Sequence, residues 1–367
     1  MNHFCFTPFR PLIIAELGTG HGGSLDKARE LVDAAIEAGA DCIKFQLVYA
    51  EEILHPNTGE VPLPGGRIRL FDRFKELEVP LTFYEHIKAY IEGKGKLFLC
   101  TPFGKRSAAE LFSLSPQLIK IASPELNYVQ LLEQVASYRL PTILSSGVSR
   151  LADIEEALSW FTPSLVCLLH CVTAYPAPEE DYNIRILENL SRIFGVSVGV
   201  SDHSMDPELV PVLATVYGAS VIEKHFCLSR SDPGLDDPIA LPPHDFARMV
   251  QAVRAVQHQL SRDGEERSRL LQELSKRYGT DRIEAVLGDG IKRLAESEKA
   301  NYDRTNRSIH AVRDLPAGTV LTANDMAVLR TEKILRPGLH PRWFNSLVGR
   351  SIKTDIPAGE GIRFEDV

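Results

Sequence analysis

Two short phrases carry the most reactive side chains of this sequence: Ser201, Asp202 and His203, then Glu223, Lys224 and His225. Each phrase ends an apolar run, and an Ala-, Leu- and Val-rich stretch of helical period lies between them. Read as strand, helix and strand, they form a βαβ unit. A right-handed crossover makes the strands parallel and brings both imidazoles out on one rim. Two histidines so placed are either satisfied structural residues or a pair of neutral imidazole ligands to a divalent cation. With carboxylates close by and no cysteine beside them, a cation there would be Mn²⁺, or Mg²⁺, completed by water or substrate oxygens, rather than structural Zn²⁺.

Other apolar runs end in polar residues as well: Glu16, Lys44 with Gln46, Thr101, Lys120 with Ser123, Ser145 with Ser146, and Tyr175 just beyond a further run. A lysine inside an apolar strand is costly to bury unless it meets an anion or an acceptor. Lys44 and Lys120, surrounded by serine and threonine hydroxyls, make a cradle for a ligand bearing phosphate and carboxylate. Taken singly, each lysine could equally be a structural partner of a carboxylate. Glu16 is open to three roles: general base, neighbour of a metal, or counter-charge to a rim lysine.

Eight such runs recur, at 11–16, 41–46, 97–101, 118–123, 141–146, 165–171, 196–202 and 219–225, with amphipathic stretches between them. Continuous apolar runs alternating with helices predict a parallel sheet covered on both faces, and eight units predict a closed (β/α)8 TIM barrel with its chemistry at the C-terminal rim. A doubly wound open sheet is the alternative. Ser24 is placed to cap a helix that stops at Gly39. The segment 48–83 contains HPNTGEVPLPGG, too rich in Pro and Gly for an element interior, and reads as an ordered loop over the rim. The barrel is expected to occupy 1–260. Residues 261–305 are charged and helical in period, with breaks at Gly279 and Gly288, and read as a helical connector with a solvated face. From 306 to 367 two similar phrases, DLPAGTVLTANDM and DIPAGEGIRFEDV, predict a small β-rich domain.

Of 367 residues, acidic exceed basic by 8, which argues against general nucleic-acid binding while allowing a local cationic pocket. No apolar run approaches the roughly 20 residues that span a bilayer. The first residues lack the pattern of a signal peptide. Six scattered cysteines, none in a CxxC pair, read as reduced thiols of a cytoplasmic protein.

The phrases AELGTGHGG (15–23), AGADCIKFQ (38–46), CTPF (100–103), IKIAS (119–123), ILSSG (143–147), HCVTAYP (170–176), SDHS (201–204) and EKHF (223–226) stand in an order that resembles the sialic acid synthase family. That family condenses phosphoenolpyruvate with an N-acetylated amino sugar, and its C-terminal antifreeze-like (SAF) domain resembles the tail here. The resemblance implies that Lys44, Thr101, Lys120, Ser123, Ser145 and Ser201 hold phosphoenolpyruvate, with Tyr175 beside it. It implies that His203 and His225 bind the metal, and that Glu16, Gln46 and Asp236 face the sugar, Glu16 being the preferred acid/base. It also implies a domain-swapped homodimer in which Arg336 reaches the sugar in the partner's barrel, with Arg307 a second candidate. Gly20 and Thr173 stand where the family usually has asparagine, and 262–290 is longer than the usual link. Rival readings are a class I aldolase using Lys44, Lys120 or Lys224 as a Schiff base, a related synthase acting on a sugar phosphate, and a non-catalytic sugar-binding protein.

Overall fold

The computed structural model describes residues 5–63, 66–260, 264–332 and 334–367. Residues 1–4, which open the stretch read for a signal peptide, two residues of the Pro/Gly-rich loop and the first three of the connector lie outside them. All eight apolar runs become strands: β1 (Leu12–Gly18), β2 (Cys42–Leu47), β3 (Leu97–Pro102), β4 (Ile119–Ile121), β5 (Thr142–Ser145), β6 (Val166–Cys171), β7 (Ser197–Asp202) and β8 (Val221–His225). They pair in parallel in the order β3-β2-β1-β8-β7-β6-β5-β4, with Cα atoms of β3 and β4 also within 8 Å, so the sheet curls into a nearly closed barrel. The helix Leu25–Glu37 begins where predicted, with Ser24 Oγ accepting the Lys27 N–H at 3.2 Å.

The strand period of two sorts the side chains. Outward residues such as Ile13, Ile43, Phe98 and Leu168 are buried beneath the helices. Inward residues stack in two levels. Phe6, Ile14, Cys42, Leu99, Ile143, Cys167, Leu169 and Val221 form an apolar floor. One inward step toward the C-terminal end of four of those strands stand Glu16, Lys44, Ser145 and Glu223, with Lys120 and Ser201 at the same level. Gly199 leaves room for this packing, because a Cβ there would lie 2.3 Å from the Val221 carbonyl.

The loop after β2, expected to be ordered, also carries regular elements: a two-stranded hairpin, Glu60–Leu63 with Gly66–Arg69, and the helix Leu70–Glu76. The connector is helical over Gly264–Tyr278 and Thr280–Leu287, then runs irregularly to 306 apart from one short turn of 3-10 helix. Its helices are not a free solvated face, since Leu270, Leu274, Ile283, Val286 and Leu287 are buried against the barrel.

In the C-terminal domain β9 (Arg307–Ala311) pairs antiparallel with β10 (Met326–Arg330). The near-repeat forms a pseudo-twofold pair. Leu315 and Ile356 exchange both backbone bonds at 2.9 Å, while Asp314 accepts the Ala358 N–H and Asp355 the Ala317 N–H, each at 2.8 Å. This domain sits on the rim of its own barrel through Arg307, whose side chain is 0 % exposed. Arg307 Nη2 bonds Glu125 Oε1 at 2.9 Å and the Phe103 carbonyl at 2.6 Å, and Nη1 bonds the Glu52 carbonyl.

Candidate active site

The upper level of the barrel interior is a compact ionic network. Lys44 Nζ lies 2.6 Å from Glu16 Oε2 and 3.5 Å from Glu223 Oε1. Lys120 Nζ donates to Ser145 Oγ at 2.6 Å and to both Glu223 oxygens at 3.1 Å. Ser201 Oγ donates to Glu223 Oε1 at 2.9 Å, and Gln46 Nε2 donates to Glu16 Oε1 at 2.6 Å. Strand register produces these meetings: Glu16 is level with Lys44 on one side and His225 on the other, and Glu223 is level with Ser201.

Burial and neighbouring charge compete at each group. Burial pulls the Lys44 ammonium down, but Glu16 and Glu223 outweigh it and hold Lys44 above the ordinary lysine value. At Lys120 burial, aided by the charge of Lys44, wins over Glu223 and the pKa falls. Burial pushes Glu223 up, yet the two lysines overcome it and keep the carboxylate well below its usual range. Two lysines and two carboxylates thus nearly cancel. An incoming polyanion must compete with Glu223 for the ammonium protons or arrive with a counter-cation.

The two histidines stand beside this network, ring centroids 5.3 Å apart. His203 Nδ1 is 2.8 Å from the Val172 carbonyl, so that nitrogen carries the proton in the neutral ring and Nε2 keeps its lone pair. Burial, helped by the charge of His203, lowers His225 to about 3 and keeps it neutral. At His203 burial also pulls down, but Cys171 and the Val172 carbonyl lift it above the ordinary value. Asp236 Oδ2 lies 3.8 Å from His225 Nδ1, and the Tyr175 ring, 53 % exposed, covers His203 with centroids 4.4 Å apart. Among the described residues no three His, Cys, Asp or Glu side chains converge as a complete metal site. The donor set fits a cation with an open coordination sphere: two imidazoles, carboxylates alongside, and further oxygens from water or substrate.

Two further hydroxyls, those of Ser123 and Thr173, meet beside Gly147. Ser123 Oγ accepts the Gly147 N–H at 2.9 Å, and the hydroxyls of Thr101 and Thr173 are buried without a hydrogen-bond partner. Gly147 makes room for Thr173 and Ser123, since a Cβ there would lie 2.1 Å from Thr173 Oγ1 and 2.9 Å from Ser123 Oγ. Three expected residues behave differently. Lys224 faces outward, with Nζ 2.5 Å from Asp202 Oδ2 and 2.6 Å from the Ser204 carbonyl, sealed away from the barrel interior. Arg307 is consumed by the joint between the domains. Arg336 turns into its own domain, 2.6 Å from Asp366 Oδ2 and 2.9 Å from the Gly361 carbonyl. The sequence marks Glu223 only as a polar residue at a strand end; its place two residues before His225, on the same strand face, is the signal for its inward position.

Residues 31–265 match the NeuB family and residues 306–367 match the SAF domain. Among the relatives is the spore coat polysaccharide biosynthesis protein SpsE of Bacillus subtilis, 34 % identical over 97 % of this chain and 93 % of that protein. The crystal structure of Bacillus subtilis SpsE superposes with a TM-score of 0.80 at 33 % identity, covering 98 % of this chain and 95 % of that one. The N,N'-diacetyllegionaminic acid synthase of Legionella pneumophila is 30 % identical over 97 % of this chain and 94 % of its own length. The pseudaminic acid synthase of Campylobacter jejuni is 31 % identical over 98 % and 97 % respectively.

Proposed function

Because the chain belongs to the NeuB family and carries that SAF domain, we propose that its site condenses phosphoenolpyruvate with an open-chain N-acetylated amino sugar, N-acetylmannosamine or a diacetamido hexose. The products are a nonulosonic acid and phosphate. It is a phosphoenolpyruvate-dependent, C–C bond-forming synthase, as its relatives are nonulosonic acid synthases. The observation that carries the reading is the convergence of Lys44, Lys120, Ser145, Ser201 and Glu223 one level above an apolar floor and beside two imidazoles.

In this reading Lys44 and Lys120 take the carboxylate and phosphate of phosphoenolpyruvate in exchange for Glu223, and the hydroxyls of Thr101, Ser123, Ser145 and Ser201 complete the cradle. A Mn²⁺ or Mg²⁺ ion held by His203 and His225 would supply Lewis-acid polarisation of the sugar aldehyde. C3 of phosphoenolpyruvate attacks that aldehyde carbon. Glu16, held by Lys44 and Gln46, takes a proton from the water that adds at C2 and passes it to the alkoxide left by the aldehyde, after which the tetrahedral carbon expels phosphate, its hydroxyl proton leaving with it, and becomes the 2-keto group. Gln46 and Asp236 flank the sugar side. Tyr175 covers the mouth.

Within one chain the SAF domain makes the Arg307–Glu125 joint with its own barrel; a swapped homodimer would make the same joint between chains and bring Arg336 toward the partner's site. Sedimentation velocity decides: an active monomer refutes the swap. The function is tested by phosphate release from phosphoenolpyruvate with Mn²⁺ across a panel of N-acetylated hexosamines, with and without chelator. Release with one sugar that chelator abolishes supports the reading. Release indifferent to chelator removes the metal, and absence of release with every sugar overturns the synthase assignment.

A further inference from the structure

The irregular end of the connector grips the two loops that carry the anion-side hydroxyls. Glu298, 1 % exposed, accepts the Val148 N–H and the Thr173 N–H on Oε1, each at 2.7 Å. Its other oxygen accepts the Ala295 N–H at 3.2 Å. The carbonyls of the same two loop residues are held from the same segment: Asn306 Nδ2 donates to Val148 O at 3.0 Å and Asn301 Nδ2 to Thr173 O at 3.1 Å. Lys292 Nζ adds a bond to Ser146 O at 3.1 Å.

Val148 shows what this grip is for. Its φ is 42°, in the left-handed region that a β-branched residue avoids. Such strain persists only where surrounding bonds over-determine the backbone, and it clusters at ligand sites. Here Glu298 and Asn306 fix both polar groups of the strained residue. The next residue back is Gly147, whose N–H meets Ser123 Oγ, and the loop begins at Ser145, the partner of Lys120. On the other loop, Thr173 presents its unpartnered hydroxyl to the same point.

We propose that Glu298 is a positioning residue for the phosphate of phosphoenolpyruvate: its carboxylate sets the spacing of the β5 and β6 loops and so the places of Ser123, Ser145 and Thr173. It touches no reacting atom. It also ties the approach to the SAF domain, which begins eight residues further on, to the phosphate side of the site. The assignment of the ligand rests on the function proposed above.

The test is calorimetric titration of phosphoenolpyruvate into the full-length wild type, Glu298→Gln and Leu274→Ala, joined to steady-state kinetics with the sugar. Glu298→Gln keeps the volume but removes the charge, so the bonds to the Val148 and Thr173 N–H groups lose their charge assistance and the Ala295 N–H is set against an amide N–H. Leu274→Ala, a buried position in the helix Gly264–Tyr278 whose side chain makes none of these bonds, controls for loss of stability alone. The expected result is a Kd and KM for phosphoenolpyruvate raised about tenfold in Glu298→Gln, with the sugar KM unchanged and both values unchanged in Leu274→Ala. Wild type that binds phosphoenolpyruvate while Glu298→Gln binds it equally well overturns the inference and leaves the function standing. A parallel rise for both substrates, or the same rise in Leu274→Ala, also overturns it. Wild type that binds no phosphoenolpyruvate overturns the functional reading and this inference with it.

Discussion

Replacing Arg307 with methionine should loosen the SAF domain from the barrel rim without unfolding the barrel. Arg307 and Glu125 are both 0 % exposed, so solvent does not screen the pair. Methionine retains most of the stem volume but strips the donors from Glu125 and from the carbonyls of Glu52, Phe103 and Val328. Breaking a buried pair costs about 3–5 kcal/mol. Here the lower end applies, because Glu125 keeps Arg330 at 2.7 Å and 3.1 Å and its charge is not orphaned. Glu125→Ala is the harsher change: it leaves Arg307 and Arg330 facing each other, with burial already pulling Arg307 below its ordinary pKa, and about 5 kcal/mol is expected. The assay is amide hydrogen exchange. A loss of about 3 kcal/mol corresponds to roughly 100-fold faster exchange for β9 in Arg307→Met, including the N–H of residue 307 that donates to Asn127 Oδ1 at 3.0 Å, with the barrel strands protected as before. Unchanged protection of β9, or a larger effect in Arg307→Met than in Glu125→Ala, would refute the reasoning.

Lys120→Met removes the ammonium that meets Ser145 and Glu223, and should raise the Kd for phosphoenolpyruvate by about 100-fold and stop phosphate release; turnover near wild type would sink the cradle. In the wild type the Lys120 charge is present at low pH and is lost as pH rises through a value below 10.5, so phosphoenolpyruvate affinity should weaken on that alkaline limb, and an affinity flat from neutral pH to pH 10.5 contradicts it. Lys224→Met orphans buried Asp202 and should cost about 3–5 kcal/mol of stability in denaturant titration; borohydride with a keto acid should leave Lys224 unlabelled in the wild type. Burial lowers His21 to about 4, His170 to about 3 and His310 to about 4, so below pH 6.5 the unfolded chain takes up protons that the folded one refuses. Stability should fall as pH drops from 6.5 toward 4, by up to about 1.4 kcal/mol per unit for each ring, and equal melting temperatures at pH 5 and pH 7.5 would contradict this.

The barrel strands, the Ser24 cap and the residues that end each strand were legible in the chain alone. Fully buried parallel strands must be continuous apolar runs, and a polar residue tolerated in one is there for a partner or a ligand. The chain also showed the repeat from which the small domain builds its twofold pair. Tertiary structure alone decided which of two adjacent charged residues works inside: Glu223 faces inward to both lysines, while Lys224 faces Asp202 beneath the helices. Alternation was legible, but its phase depends on barrel closure. Nor could the sequence show that Arg307 is spent in a joint, or that Glu298 holds loops 150 and 125 residues away. Apart from the Arg307–Glu125 pair, those bonds join a side chain to backbone carbonyl or N–H groups, which nearly every residue possesses. They leave no pattern in the chain, and only the fold brings them together.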